Sequence, residues 1–159
     1  MKHIIIAVVA LLLPGALAAQ SHGAPNGEAS HVIVAIPGTF EFAPAPPSLP
    51  PGARLAVLEG DPSKEGAFTM QLWMPSGYRI PPHFHPADEH VTVLKGAFHV
   101  GMGEVFDADA ATRLPTGTFA ALSAGVRHYA FTEGETIIQL HGNGPWSLTY
   151  VNPADDPRR

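Results

Sequence analysis

The run PPHFHPADEHVTVLKG, Pro81 to Gly96, places three histidines and two acids within eight residues of a chain that is only 14% charged. Imidazole nitrogens and carboxylate oxygens are donors suited to a divalent transition metal. His83 and His85 are two residues apart, so on a β-strand both rings face one side, as two ligands of one ion must, while Phe84 faces the other. After the short break Pro86-Ala87-Asp88, Glu89 enters a further strand on which Glu89, Val91 and Val93 share a face, so its carboxylate can return to the same ion. A polar loop that happens to be rich in histidine has the same composition, and ligands from a distant part of the chain decide between the two. No Ser-His-Asp arrangement competes for the chemistry, and GMGEVF, from Gly101, resembles a phosphate-binding loop only in its glycines.

Such a cluster needs strands to hold it. With 159 residues and 45% hydrophobic content the chain has room for one globular core. Sixteen glycines and 17 prolines cut the apolar runs short, which points to an all-β domain. Strands are expected at HVIVAI (His31 to Ile36), at RLAVLEG and AFTMQLWM as a hairpin through DPSKEG, and at EHVTVLKG and AFHVGM as a hairpin turning at Lys95-Gly96. TFAALSAG, HYAFTE, TIIQLHG and WSLTYVN complete the set. In AFTMQLWM, Phe68, Met70, Leu72 and Met74 alternate with Ala67, Thr69, Gln71 and Trp73, and the apolar set faces the core. APAPPSLPPGA, Ala43 to Ala53, reads as extended polyproline-like chain clamping the surface. Short strands repeated at this spacing make a sandwich or small barrel. The expected organisation is a signal peptide over 1–18, an N-terminal strand and Pro-rich connector over 19–52, that sandwich or barrel over 53–152 and a polar tail over 153–159.

The spacing of the fixed residues resembles the cupin superfamily. Gly77, five residues, His83-x-His85, three residues, Glu89, six residues and Gly96 reproduce its first signature. Gly117, five residues, Ser123-x-Gly125, two residues, His128, three residues and Thr132 reproduce the second, with Ser123 where proline is usual and Thr132 where asparagine is usual. The wider texture is similar to small single-domain bacterial cupins of the RmlC-like kind. The resemblance implies a conical antiparallel β-barrel, or jelly-roll, holding one divalent ion (Fe, Mn, Ni, Cu or Zn) on His83, His85, Glu89 and His128.

Other residues invite blander readings. His90 follows Glu89 and points to the opposite face, and His99 reads as an ordinary strand histidine. A liganding imidazole needs a hydrogen-bond partner for its second nitrogen, and Gln71, Tyr129, Gln139 and His141 are the candidates for that role or for lining a pocket. Trp73 and Trp146 read as packing more readily than as substrate contacts.

The first residues, MKHIIIAVVALLLPGALAAQS, have a charged Lys2, an apolar run too short for a membrane span, and a small-x-small end, the pattern of a secretory signal. Its removal takes Lys2 and no acid, shifting the formal charge from −5 to −6, which disfavours a nucleic-acid partner. Cysteine is absent, so disulfides and thiolate ligands are excluded. A periplasmic or secreted protein with no membrane span after signal cleavage is expected, and a homodimer is left open. Its partner is a small-molecule ligand or substrate. The cupin resemblance implies a metal-dependent enzyme of the oxygenase type acting on a small oxygen-bearing molecule. Its alternatives are a non-redox isomerase or lyase and a non-catalytic metal- or ligand-binding module of the envelope, because the fold serves all of these.

Overall fold

The computed structural model describes residues 32–159, so the signal-peptide reading of 1–18 and the start of HVIVAI at His31 lie outside the described residues. Nine strands follow: β1 (Ala43–Pro44), β2 (Arg54–Glu59), β3 (Gly66–Met74), β4 (Arg79–Phe84), β5 (Glu89–Met102), β6 (Thr112–Pro115), β7 (Phe119–Leu122), β8 (His128–Gly144) and β9 (Thr149–Tyr150). All pairings are antiparallel, in the order β1-β2-β3-β8-β4-β9, with β5 also alongside β8 and carrying β6 and β7 on its other edge. Helix is confined to a single 3-10 turn, Pro153–Asp155, among the described residues.

The architecture turns on the long ribbon formed by β5 and β8. The two strands pair from His90 opposite His141 to Met102 opposite His128. Midway, Lys95 lies opposite Ile137 and Ala97 opposite Glu133, so residues 134–136 bulge against Gly96 alone. Gly96 has φ +81°, and a Cβ there would meet the Glu135 carbonyl oxygen at 2.4 Å, so only glycine fits. A bulge of this kind bends both strands, and a strand that bends can serve two sheets. The first half of β5 and the second half of β8 therefore join β7 and β3, while their other halves join β6 and β4. The sheet curls over on itself into a jelly-roll.

This ribbon corrects two sequence expectations. Lys95-Gly96 is a bend within β5 rather than a hairpin turn, and HYAFTE and TIIQLHG are two halves of β8 bent at Gly134. Glycine at positive φ serves a bulge as well as a turn, and only the partner strand distinguishes them. The run Val32–Ile36 forms no strand: it is exposed, and the place beside β2 at Arg54 and Leu55 is taken by β1. WSLTYVN contributes only the two residues of β9, and β6, short and ended by a proline, was not expected at all. The hairpin of β2 and β3 forms as read, with Phe68, Met70, Leu72 and Met74 buried on the inner face.

The barrel encloses a cavity of about 500 Å³. Its walls are apolar, among them Met70, Leu72, Val91, Phe98 and Leu140, and its mouth is rimmed by the Pro-rich connector at Pro44, Pro46 and Leu49. Tyr150 Oη donates to the Ser48 carbonyl at 2.9 Å and Tyr78 Oη donates to the Pro50 carbonyl, so two buried rings pin the connector in place. The C-terminal residues are more than a polar tail. Arg158 reaches the cavity rim, held by Asp156 through bonds of 2.7 and 2.6 Å.

Candidate metal centre

Three strands, β4, β5 and β8, bring the polar cluster to the inner end of this cavity. His83 ends up opposite His128 across the β4–β8 pairing, and Glu89 opens β5. Pro81 and Pro82 cannot donate to the ladder, and the β4–β8 register skips from Ile80 to His83 over them. The residues fixed by the two signatures have visible work in this arrangement. The Thr132 hydroxyl accepts from the Tyr78 N–H at 3.0 Å and donates to the Pro75 carbonyl at 2.7 Å, clamping the turn before β4. Asparagine offers the same pair of functions, a donor and an acceptor, which explains why threonine can stand in its place. Gly125, at φ +77°, donates its N–H to the His85 carbonyl at 2.9 Å, and Ala124 N–H donates to Asp88 Oδ1 at 2.8 Å. The loops before β5 and before β8 are thus tied together above the cluster.

His83, His85 and His128 are 2%, 3% and 3% exposed, and one nitrogen of each lies within 4.8 Å of the others. Each Nδ1 meets a backbone carbonyl: Pro81 at 2.7 Å for His83, Ser147 at 2.7 Å for His85 and Val126 at 3.0 Å for His128. A carbonyl only accepts, so each Nδ1 carries the proton and, in the neutral ring, Nε2 is left with a lone pair. Burial holds the His83 imidazole well below the ordinary histidine value, with His128 and His85 beside it adding to the effect. Burial also lowers His85, against the opposing pull of Glu89 and the Ser147 carbonyl. Inward-facing lone pairs on neutral rings cannot satisfy one another.

Glu89 adds a further acceptor. Its Oε2 lies 3.3 Å from His128 Nε2 and 3.6 Å from His85 Nε2. In the neutral tautomers that these carbonyls select, the contacts are between acceptors, and His85 Nε2 is buried with no hydrogen-bond partner. A cation among the four satisfies them together, since three neutral imidazoles and one carboxylate are all electron-pair donors. The residues present fit a divalent transition metal.

The expected partners of the ring nitrogens are elsewhere. Gln71 and Gln139 bond to each other at 3.4 Å and His141 stacks on His90 at 4.9 Å, all on the outer face of the sheet. Alternation puts them there: Met70, Leu72, Ile138 and Leu140 take the inner face, so residues 71, 139 and 141 take the outer one. Tyr129, next to His128, also points away; its hydroxyl donates to the Asp107 carbonyl and its ring packs on Phe106. Backbone carbonyls do the work instead, and these carry no signal in a sequence. His99 lies on Phe131 with Nε2 3.4 Å from Glu133, and Trp73 lies under the Arg54 guanidinium. Trp146 lines the cavity and stacks on His85.

Residues 31–147 match the family model of the ChrR cupin-like domain. The chain belongs to that family. No curated protein matches the ChrR cupin-like chain by sequence. Among solved structures, it is similar to an acetylacetone dioxygenase from Acinetobacter johnsonii, at 18% identity over 84% of this chain and 86% of that one, with a TM-score of 0.64. It is also similar to an RmlC-like cupin from Shewanella frigidimarina, at 16% identity over 69% and 87% of the two chains and a TM-score of 0.54. A polyketide cyclase from Streptomyces resistomycificus, RemF, shows 16% identity over 66% and 75%, with a TM-score of 0.54. At such identities the likeness is one of fold. It agrees with the jelly-roll that the two signatures imply. Among the described residues no helix is long and apolar enough to cross a membrane.

Proposed function

We propose that this ChrR cupin-like chain is a metal-dependent enzyme of the oxygenase type, acting on a small oxygen-bearing organic molecule. One divalent transition ion is held by His83, His85, Glu89 and His128. The observation that carries the reading is the inward convergence of the buried Nε2 lone pairs beside a carboxylate, all acceptors. Such an ion, once bound, supplies Lewis acidity and, if redox-active, dioxygen chemistry. The chain's own contribution is orientation and exclusion of water. Pro81, Ser147 and Val126 fix which nitrogen of each ring faces inward, and Glu89 offsets one unit of the ion's charge. The apolar wall of Met70, Leu72, Val91, Phe98 and Leu140 favours a substrate whose body is hydrocarbon and whose oxygens lie at one end, next to the cluster.

We assign the mature chain to the periplasm or the exterior, on the pattern of its first 18 residues. Export as an unfolded chain has it meet its ion outside the cytoplasm, where raw affinity favours copper and zinc over manganese and iron. The test is elemental analysis of protein from periplasm and from cytoplasm, with oxygen uptake against a panel of diketones, phenols and thiols. Uptake with one class supports the oxygenase reading. A tightly held zinc and no uptake overturns it in favour of a lyase or a binding module.

A further inference from the structure

The three histidines are not equally supported. His83 and His128 face each other across paired strands, with ring centroids 4.2 Å apart, and Tyr150 flanks His83 at 6.3 Å. His85 lies just past the end of β4, where its backbone is held by the single bond from Gly125 N–H to its carbonyl rather than by a ladder. An imidazole turns about a broad torsion, and its single bond from Nδ1 to the Ser147 carbonyl leaves the ring plane free to tilt about that bond. Something else must set the plane. Trp146 lies against it, with centroids 4.2 Å apart and the two planes only 18° from parallel.

Trp146 is itself anchored by the turn between β2 and β3. Its backbone N–H donates to the Pro62 carbonyl at 2.7 Å. That turn is stiffened from within: Asp61 Oδ1 accepts from the Ser63 N–H at 2.9 Å and from the Ser63 hydroxyl at 2.7 Å. It can approach only because residue 144 is glycine, since a Cβ there would meet the Lys64 carbonyl oxygen at 2.1 Å and the Pro62 oxygen at 2.9 Å. The indole Nε1 is buried with no partner. What the ring offers His85 is its flat face, and phenylalanine would offer a smaller one with no donor to leave unpaired.

We infer that Trp146 is the positioning residue of the metal centre, holding the plane of His85 so that its Nε2 lone pair points at the ion, and that the β2–β3 turn sets Trp146. This rests on the metal reading above and goes beyond it by giving the centre a support outside both signatures. The indole also becomes a reporter of occupancy, because it touches a ligand.

The test is titration of the full mature chain with cobalt(II), followed by visible absorption, by competition with zinc(II) and by indole fluorescence in a Trp73→Phe background, where Trp146 is the only tryptophan left. Trp146→Ala is expected to weaken cobalt binding about tenfold or more and to alter the ligand-field bands, as loss of an orienting partner does, with Trp146→Phe recovering most of the affinity. Cobalt is expected to quench the Trp146 emission, and His83→Ala to abolish that quenching at the same cobalt concentration. Gly144→Ala, which leaves the indole in the chain but displaces the turn, is expected to weaken binding in the same direction. Trp146→Ala binding within about threefold of wild type with unchanged bands overturns the inference while leaving the metal reading intact. So does cobalt bound with no quenching. Wild type that binds no cobalt removes the metal reading and this inference together, and that titration is read first.

Discussion

Thr132→Val removes a hydroxyl and changes almost nothing else, since valine has the shape of threonine. The side chain is 3% exposed, so no water replaces what is lost. Two hydrogen bonds disappear, the 3.0 Å bond from Tyr78 N–H and the 2.7 Å bond to the Pro75 carbonyl. Neither partner is wholly abandoned, because Tyr78 N–H also reaches the Pro75 carbonyl at 3.3 Å within the turn. At about 0.5–1.5 kcal/mol for each net bond, the expected loss is about 1–3 kcal/mol. For a domain of this size that lowers Tm by roughly 4–12 °C. Thr132→Asn, which restores the residue usual in the second cupin signature, is expected to lie within about 1 kcal/mol of wild type, because it keeps a donor and an acceptor. Denaturant unfolding of the metal-free proteins measures both. A Thr132→Val protein within about 0.5 kcal/mol of wild type at unchanged m would show that the clamp on the turn carries no energy, and the account of Thr132 would have to be abandoned.

Glu89→Ala is expected to lower metal affinity by at least the roughly 10- to 100-fold typical of lost orienting groups, and His90→Ala to leave metal content near wild type; the reverse order in a metal titration would put the outer-face histidine in the site. Chelation is expected to leave a cooperative melt, because Phe68, Met70, Leu72, Val91 and Val93 form a core independent of the ion, unlike the core of a zinc finger. A chelated sample with no transition would refute that. Burial raises Tyr150 to about 12, and it also raises Tyr78. Their contribution to stability is therefore complete below the unfolded tyrosine value of about 10 and is lost as pH climbs through the folded values. Phenolate absorbance is expected to appear together with unfolding above pH ~10, and its appearance in a still-folded protein would contradict the burial of the two rings that pin the connector.

The alternation in AFTMQLWM was readable because strand parity is a local property, and Phe68 through Met74 obey it in the fold. Parity also separates Glu89, at the cluster, from His90, in the outer stack. The same parity puts Gln71, between Met70 and Leu72, on the outer face, and Gln139 and His141 with it. What parity cannot supply is the path of a strand beyond a glycine. Lys95-Gly96 and Gly134 looked like ends because the residue that permits a turn also permits a bulge, and the difference lies in a partner some 40 residues away. In the sequence Trp146 looks like any packing aromatic; its contact with His85 depends on the loop after β8 folding back over the end of β4.

That the three ring nitrogens are held by main-chain carbonyls bears on how this centre tolerates change. A carboxylate or amide in that position can be lost in one substitution, and the tautomer with it. The carbonyls of Pro81, Ser147 and Val126 persist whatever side chains stand there, so long as the backbone keeps its course. Side chains around the cavity can therefore drift, altering which molecules fit, while the protonation pattern of the histidines is inherited unchanged. In such a design the substrate is the easily revised part and the proton positions are the durable one.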